Sequence, residues 1–193
     1  MRRGGFVLAG GRSSRMGRDK ALLPWAGQTV LAAVLRAVEQ AAGQVILIAP
    51  ARRYPSPGCP VIPDLRPGLG PLAGLETALS VTGDEWNLVV ACDMPRLTAP
   101  LLARLLADAA ACDADCLIPT TPNGSHPLAA VYHRRCLPAV SRALDEGNLR
   151  LLDALARVRS APWPVPPADE PQFANLNTAD QWRALLQSEQ KGP

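Results

Sequence analysis

The segment Phe6-Val7-Leu8-Ala9-Gly10-Gly11-Arg12-Ser13-Ser14-Arg15-Met16-Gly17-Arg18-Asp19-Lys20 constrains this chain more than any other. A short apolar run ends in paired glycines, and a loop with four basic residues follows over positions 12–20. Leu22 and Leu23 then resume the apolar pattern. This is the pattern of a strand that delivers an anion-binding loop. Glycine lets backbone N–H groups approach an anion closely, and the Arg12, Arg15, Arg18 and Lys20 side chains supply opposite charge. Two common phosphate loops are excluded. A Walker loop needs Gly-Lys-Ser/Thr, but Gly17 is followed by Arg18-Asp19-Lys20, and no glycines fall at the dinucleotide G-x-G-x-x-G spacing.

The rest of the chain alternates in period. Leu31, Val34, Leu35 and Val38 recur at helical spacing between Thr29 and Ala42, and residues 44–49 (QVILIA) form a continuous apolar run, as in a strand buried on both faces. Residues 50–71, rich in Pro and Gly, read as a long loop, and Pro71 opens a helix with Leu72, Leu75 and Leu79 inside. Residues 87–92 (NLVVAC) read as a strand ending at Asp93. Thr98 caps a helix carrying Leu101, Leu102, Leu105, Leu106 and Ala109. Further strands are expected at 114–119 and 128–133, and helices near 134–146 and 149–157. An extended proline-rich connector is expected at 161–171, and a last helix from Thr178 holding Trp182, Leu185 and Leu186. Residues 188–193 are expected to fray. Strands alternating with helices predict an α/β fold, a mostly parallel sheet with helices on both faces, and 193 residues suit a single domain, 1–193.

Composition narrows the function classes. The net charge of +3 gives no case for nucleic-acid or membrane-surface binding, whereas the local +3 of residues 12–20 points to a small anionic ligand. No stretch is apolar for long enough to span a membrane, and the N-terminal apolar run is too short for a signal peptide. Cys59, Cys92, Cys112, Cys116 and Cys136 show no metal-site spacing and read as thiols of a reducing compartment. The expectation is a cytoplasmic protein.

In a parallel sheet, ligands bind beyond the carboxyl ends of the strands. Gly10-Gly11, Asp93 and the loop before Pro71 all fall at such ends or at helix starts, so they can gather on one edge. Lys20 is the best-placed fixed charge for a phosphate. Asp93, at a strand end before Met94-Pro95, is either a magnesium ligand or a turn residue; magnesium takes one or two carboxylates plus phosphate oxygens and water. Gly68, Gly70 and Gly74 follow Asp64 and either admit a ligand or simply turn the chain into a helix. Asn175 and Asn177 share a side of an extended segment, although Asn177 or Thr178 also suits a helix N-cap. His126, alone before Pro127, serves as a general base or as a binding or structural residue.

Taken in order, these motifs resemble the nucleotidyltransferase family that includes the molybdenum cofactor guanylyltransferases. The matching stretches are LAGGRSSRMGRDK at 8–20, D-x-x-x-G-x-GPLAGL at 64–75, VVACDMP at 89–95, HPLAAVY at 126–132, GNLR at 147–150 and N-x-N-T at 175–178. Leu-Ala-Gly-Gly is similar to the guanylyl-transferring members, whereas Leu-Ala-Ala-Gly is typical of cytidylyl-transferring ones. The resemblance implies a three-layer Rossmann-like fold and transfer of GMP from GTP to the terminal phosphate of molybdopterin, releasing pyrophosphate. It implies backbone contacts from Leu8, Ala9, Gly10 and Gly11 to the nucleotide, phosphate contacts from Lys20 with Arg15 beside it, and a guanosine contact from Asp64. Asp93 would carry Mg2+, while Asn175, Asn177, His126 and Arg150 would face the pterin acceptor. Handover to apo-molybdoenzymes or chaperones follows from the same resemblance. Where some members carry a nucleotide-contacting asparagine after the second main strand, this chain reads Ala49-Pro50-Ala51-Arg52-Arg53, so no site residue is carried over there. Three alternatives stay open: transfer to another acceptor or from another nucleotide, a non-catalytic nucleotide-binding protein, and a P-loop hydrolase, which the missing Gly-Lys-Ser/Thr disfavours.

Overall fold

The structure, a computed structural model, describes residues 3–10, 19–176 and 182. Its first strand, β1 (Arg3–Leu8), shows why the sheet forms. Successive side chains alternate, so Phe6 enters the apolar layer on one face and Val7 the layer on the other, both fully buried. Gly5 is needed for close approach. A Cβ there would lie 2.3 Å from the Gln44 carbonyl oxygen. A two-residue hairpin, β2 (Pro24–Trp25) and β3 (Gln28–Thr29), follows the short helical turn Lys20–Leu22.

Helix α1 (Val30–Ala42) has both its stops in the sequence. The Thr29 hydroxyl accepts from the Ala32 N–H at 3.2 Å, and Gly43, at φ 85°, closes the far end by donating to the Glu39 carbonyl at 2.7 Å. After it come β4 (Ile46–Ile48), β5 (Val61–Ile62), α2 (Pro71–Val81), β6 (Trp86–Ala91) and α3 (Ala99–Ala111). The chain continues through β7 (Cys116–Thr121), β8 (Gly124–Ser125), β9 (Ala129–His133), α4 (Leu137–Asp145), α5 (Leu151–Leu155) and β10 (Ser160–Pro164).

Among the described residues the main sheet runs β10-β7-β9-β6-β1-β4-β5, with β8 on β7. It is parallel except for β9, which lies antiparallel between β6 and β7, and β8. The core residues of α1 and α3 pack on one face and those of α2, α4 and α5 on the other. The expected α/β fold with helices on both faces is what the chain adopts. No helix among the described residues is long and apolar enough to cross a membrane.

Two expectations are corrected. The loop expected over 50–71 contains β5, which extends the sheet beyond β4; two residues are too few to show a period. The connector expected from residue 161 starts as β10, paired in parallel with β7 from Ser160↔Cys116 to Pro164↔Thr120. Pro162 and Pro164 are tolerated because this strand is the sheet edge. Thr98 is the N-cap residue of α3 as expected, although its hydroxyl donates to the Gln172 side-chain oxygen at 2.8 Å instead of accepting from the first turn. The helix expected from Thr178 lies outside the described residues apart from Trp182, whose ring sits 6.3 Å from that of Trp25.

Candidate active site

The carboxyl ends of β1, β4, β5 and β6 open on one edge because these strands run the same way. Leu8 pairs with Ala91, and the Cys92 N–H donates to the Leu8 carbonyl at 3.1 Å, so Ala9-Gly10 and Cys92-Asp93 leave the sheet side by side. The Ala9 N–H donates to the Ile48 carbonyl at 2.9 Å, and that contact fixes the start of the basic loop. Gly10 is exposed, and a Cβ on it would meet nothing within 4 Å among the described residues. Gly11 and Arg15, with Arg12 and Arg18, lie outside the described residues.

Lys20 opens the turn that leads back into the fold, and its charge acts on Asp93. Burial pushes the Asp93 carboxyl above its ordinary pKa, while the Lys20 ammonium pulls it down. The lysine and the aspartate therefore lie at one rim, within Coulombic reach of each other. Asp93 is a hard oxygen donor held in a half-buried position beside this cation, and that suits magnesium, whose remaining ligands are phosphate oxygens and water. No three His, Cys, Asp or Glu side chains converge as a metal cage among the described residues. The neighbouring Cys92 thiol is pushed up to about 12, first by burial and then by the Asp93 charge, so it stays protonated and is a poor nucleophile.

Asp64 stands just past β5. Its Oδ1 accepts from the buried Thr77 hydroxyl at 2.9 Å, and that hydroxyl accepts from the Leu65 N–H at 3.0 Å. Arg66 bridges Glu76 at 2.9 Å and Asp145 at 2.6 Å, tying the Asp64 loop to α2 and to the end of α4. Gly70, at φ 81°, then turns the chain into Pro71.

On the other side of Asp93, β9 presents its amino end to the same edge, since the Ala91 N–H donates to the Leu128 carbonyl at 2.7 Å. His126 sits here. Its Nε2 lies 2.9 Å from the Thr121 hydroxyl, and its ring is 4.8 Å from that of Phe173. Burial holds its pKa below the usual histidine value, so the imidazole is neutral at physiological pH. That suits a binding residue better than a base. Asn175 is exposed in the segment that follows Phe173, and this segment reaches Asp93 directly, because the Leu176 N–H donates to the Asp93 carbonyl at 2.9 Å. Asn177 lies outside the described residues. Arg150 is exposed at the start of α5, a few residues beyond the Asp145 end of α4, with its N–H on the Asn148 side chain at 3.1 Å. An open groove of about 840 Å³, lined by Arg3, Gly43, Gln44 and Thr82 among others, lies at the opposite edge, away from these groups.

Sequence reasoning missed Arg53 and Tyr54. Arg53 pairs with Asp19 at 2.8 Å, and the Tyr54 hydroxyl lies 3.1 Å from the same carboxylate and 3.3 Å from the Ala9 carbonyl. The available signal was a cation and an aromatic residue in the turn that follows the strand adjoining β1.

The Lys20 charge and Asp93 share the carboxyl rim of a mostly parallel sheet, and the fold has solved counterparts. It superposes with a TM-score of 0.83 on molybdopterin-guanine dinucleotide biosynthesis protein A of Archaeoglobus fulgidus, 25% identical, over 98% of this chain and 100% of that one. This places the chain in the class of nucleotidyltransferases. Residues 5–160 match the model of the MobA-like NTP transferase domain, and the chain belongs to that family. Among its relatives are a molybdenum cofactor guanylyltransferase of Xanthomonas euvesicatoria pv. vesicatoria, 36% identical over 94% of this chain and 93% of that one. Another, from Deinococcus radiodurans, is named a probable molybdenum cofactor guanylyltransferase and is 41% identical over 75% of each chain.

Proposed function

We propose that this protein transfers GMP from GTP to the terminal phosphate of molybdopterin. The acceptor phosphate oxygen bonds to the α-phosphorus of GTP, the α–β P–O bond breaks, and pyrophosphate leaves. A phosphate monoester is already ionised near neutral pH, so the site needs alignment and charge neutralisation rather than a strong base. The neutral His126 accords with this.

Leu8, Ala9, Gly10 and Gly11 offer backbone to the nucleotide, Lys20 and Arg15 hold its phosphates, and Asp64 contacts the guanosine part. Asp93 would hold Mg2+, which when bound offsets the charge of the triphosphate. His126, Asn175, Asn177 and Arg150 face the acceptor. The observation that carries the reading is the shared rim: Ala9-Gly10 and Cys92-Asp93 leave the sheet side by side, Lys20 lies within Coulombic reach of Asp93, and the Asn175 segment is bonded to the Asp93 carbonyl. On this reading the enzyme works in the cytoplasm and passes its product to apo-molybdoenzymes or chaperones.

The test is pyrophosphate release with molybdopterin and each of GTP, CTP, ATP and UTP, with and without magnesium. Turnover confined to GTP plus the pterin and lost on chelation is the expected result. Equal use of CTP, or release without an acceptor, would overturn the assignment.

A further inference from the structure

Ala9 and Asp19 flank the basic loop, and one side chain reaches both. The Tyr54 hydroxyl lies 3.3 Å from the Ala9 carbonyl and 3.1 and 3.3 Å from the two Asp19 carboxylate oxygens. Arg53 closes on the same carboxylate, with Nε and the terminal nitrogen 2.9 and 2.8 Å from Oδ2, and its guanidinium lies 5.5 Å from the Tyr54 ring centre. The remaining oxygen, Oδ1, accepts from the Ala21 N–H at 3.2 Å and so caps the turn whose first residue is Lys20. The Asp19 carboxylate is thus the joint between a tether and the lysine.

The chain is bent to make this joint. After β4 it turns through Arg52, which is held at φ 64°. A non-glycine residue persists there only where its surroundings fix it. That turn returns Arg53 and buried Tyr54 to the base of the loop. Burial also keeps the Tyr54 proton in place, so the hydroxyl remains a donor.

We propose that Asp19, Arg53 and Tyr54 form a clamp across the neck of the basic loop that fixes the position of Lys20, making Arg53 and Tyr54 positioning residues for a nucleoside triphosphate. The proposal rests on the phosphate role given to Lys20 above. Its physical content is preorganisation. Holding Ala9 and Asp19 to one hydroxyl, and Asp19 to the turn that opens with Lys20, fixes beforehand a geometry that triphosphate binding would otherwise have to order.

The experiment is calorimetric titration of GTP into the wild type, Tyr54→Phe, Arg53→Gln, Lys20→Ala and the two double variants with Lys20→Ala, alongside thermal melts. Tyr54→Phe and Arg53→Gln should each weaken GTP binding by about tenfold, the size expected for a lost charge-assisted hydrogen bond. On the Lys20→Ala background the further loss should shrink to less than about twofold, because coupled residues are not additive. A purely structural role would lower the melting temperature and give the same loss in both backgrounds, and that result overturns the clamp. Unchanged affinity in Tyr54→Phe and Arg53→Gln while Lys20→Ala binds weakly overturns the clamp alone. Unchanged affinity in Lys20→Ala removes the parent reading and the clamp with it.

Discussion

The Leu176 N–H donates to the Asp93 carbonyl at 2.9 Å, and the Leu176 side chain is buried with Leu23, Trp25 and Val30. One residue therefore fastens the C-terminal segment both to the end of β6 and to the apolar cluster that follows the Lys20 turn. The lysine, the aspartate and the Asn175 segment share a support. Losing that support should affect the acceptor side before the nucleotide side.

Leu176→Ala should cost roughly 2–5 kcal/mol of stability, the range for truncating a buried leucine. Below its melting temperature the variant should still bind GTP, and its KM for molybdopterin should rise. Steady-state kinetics with the acceptor varied at saturating GTP checks this.

Asp93→Asn should lower kcat by about a hundredfold or more, the scale of removing a preorganised charge-stabilising group. It should also raise the melting temperature of the ligand-free protein. Burial lifts the folded pKa of Asp93 above the ordinary 3.8, so the native chain holds this proton more tightly than the unfolded one. Its contribution to stability is therefore greatest below about 3.8 and is lost as pH rises toward the folded value. At neutral pH the charged, half-buried carboxylate costs stability, and asparagine removes that cost. Calorimetric melts at pH 7, paired with single-turnover rates, test both halves.

His126→Gln should leave kcat within about tenfold, less than the loss of a general base would bring. Its main effect should be a raised KM for the acceptor, because the ring contact with Phe173 goes. The lowered folded pKa gives the opposite sign to Asp93. The His126 contribution to stability is complete above the ordinary 6.5 and falls away as pH drops from there toward the folded value. Melts of wild type and variant should converge on acidification through that window.

Thr77→Val keeps the shape of a buried side chain but leaves Asp64 and the Leu65 N–H without their partner. It should destabilise the protein by about 1–3 kcal/mol and weaken GTP binding. Thr77→Ser should restore both, as thermal melts and GTP titration would show.

Much of this was legible in the chain. Both ends of α1 carried local signals in Thr29 and Gly43, and the buried strands β4 and β6 were continuous apolar runs. Lys20 and Asp93 stood out because each follows an apolar run at the point where a parallel sheet opens. Arg53 and Tyr54 did not stand out, because nothing local to residues 49–54 says that the turn folds back over the neck of another loop. β5 and β10 were missed for a related reason. A two-residue strand has no period, and a strand with two prolines exists only because an edge position leaves their missing N–H groups unused.

By itself the sequence determined most of the strands and helices, β5 and β10 excepted, the faces they bury, and the chemical types of group available at the strand ends. Those properties come from local backbone preference and from the spacing of apolar side chains. Only the tertiary structure decided that the Lys20 charge falls on Asp93, that Leu176 bonds to the Asp93 carbonyl, and that Tyr54 spans Ala9 and Asp19. Such contacts join residues far apart in the chain, and strand order and register, absent from any local pattern, bring them within hydrogen-bonding or Coulombic reach.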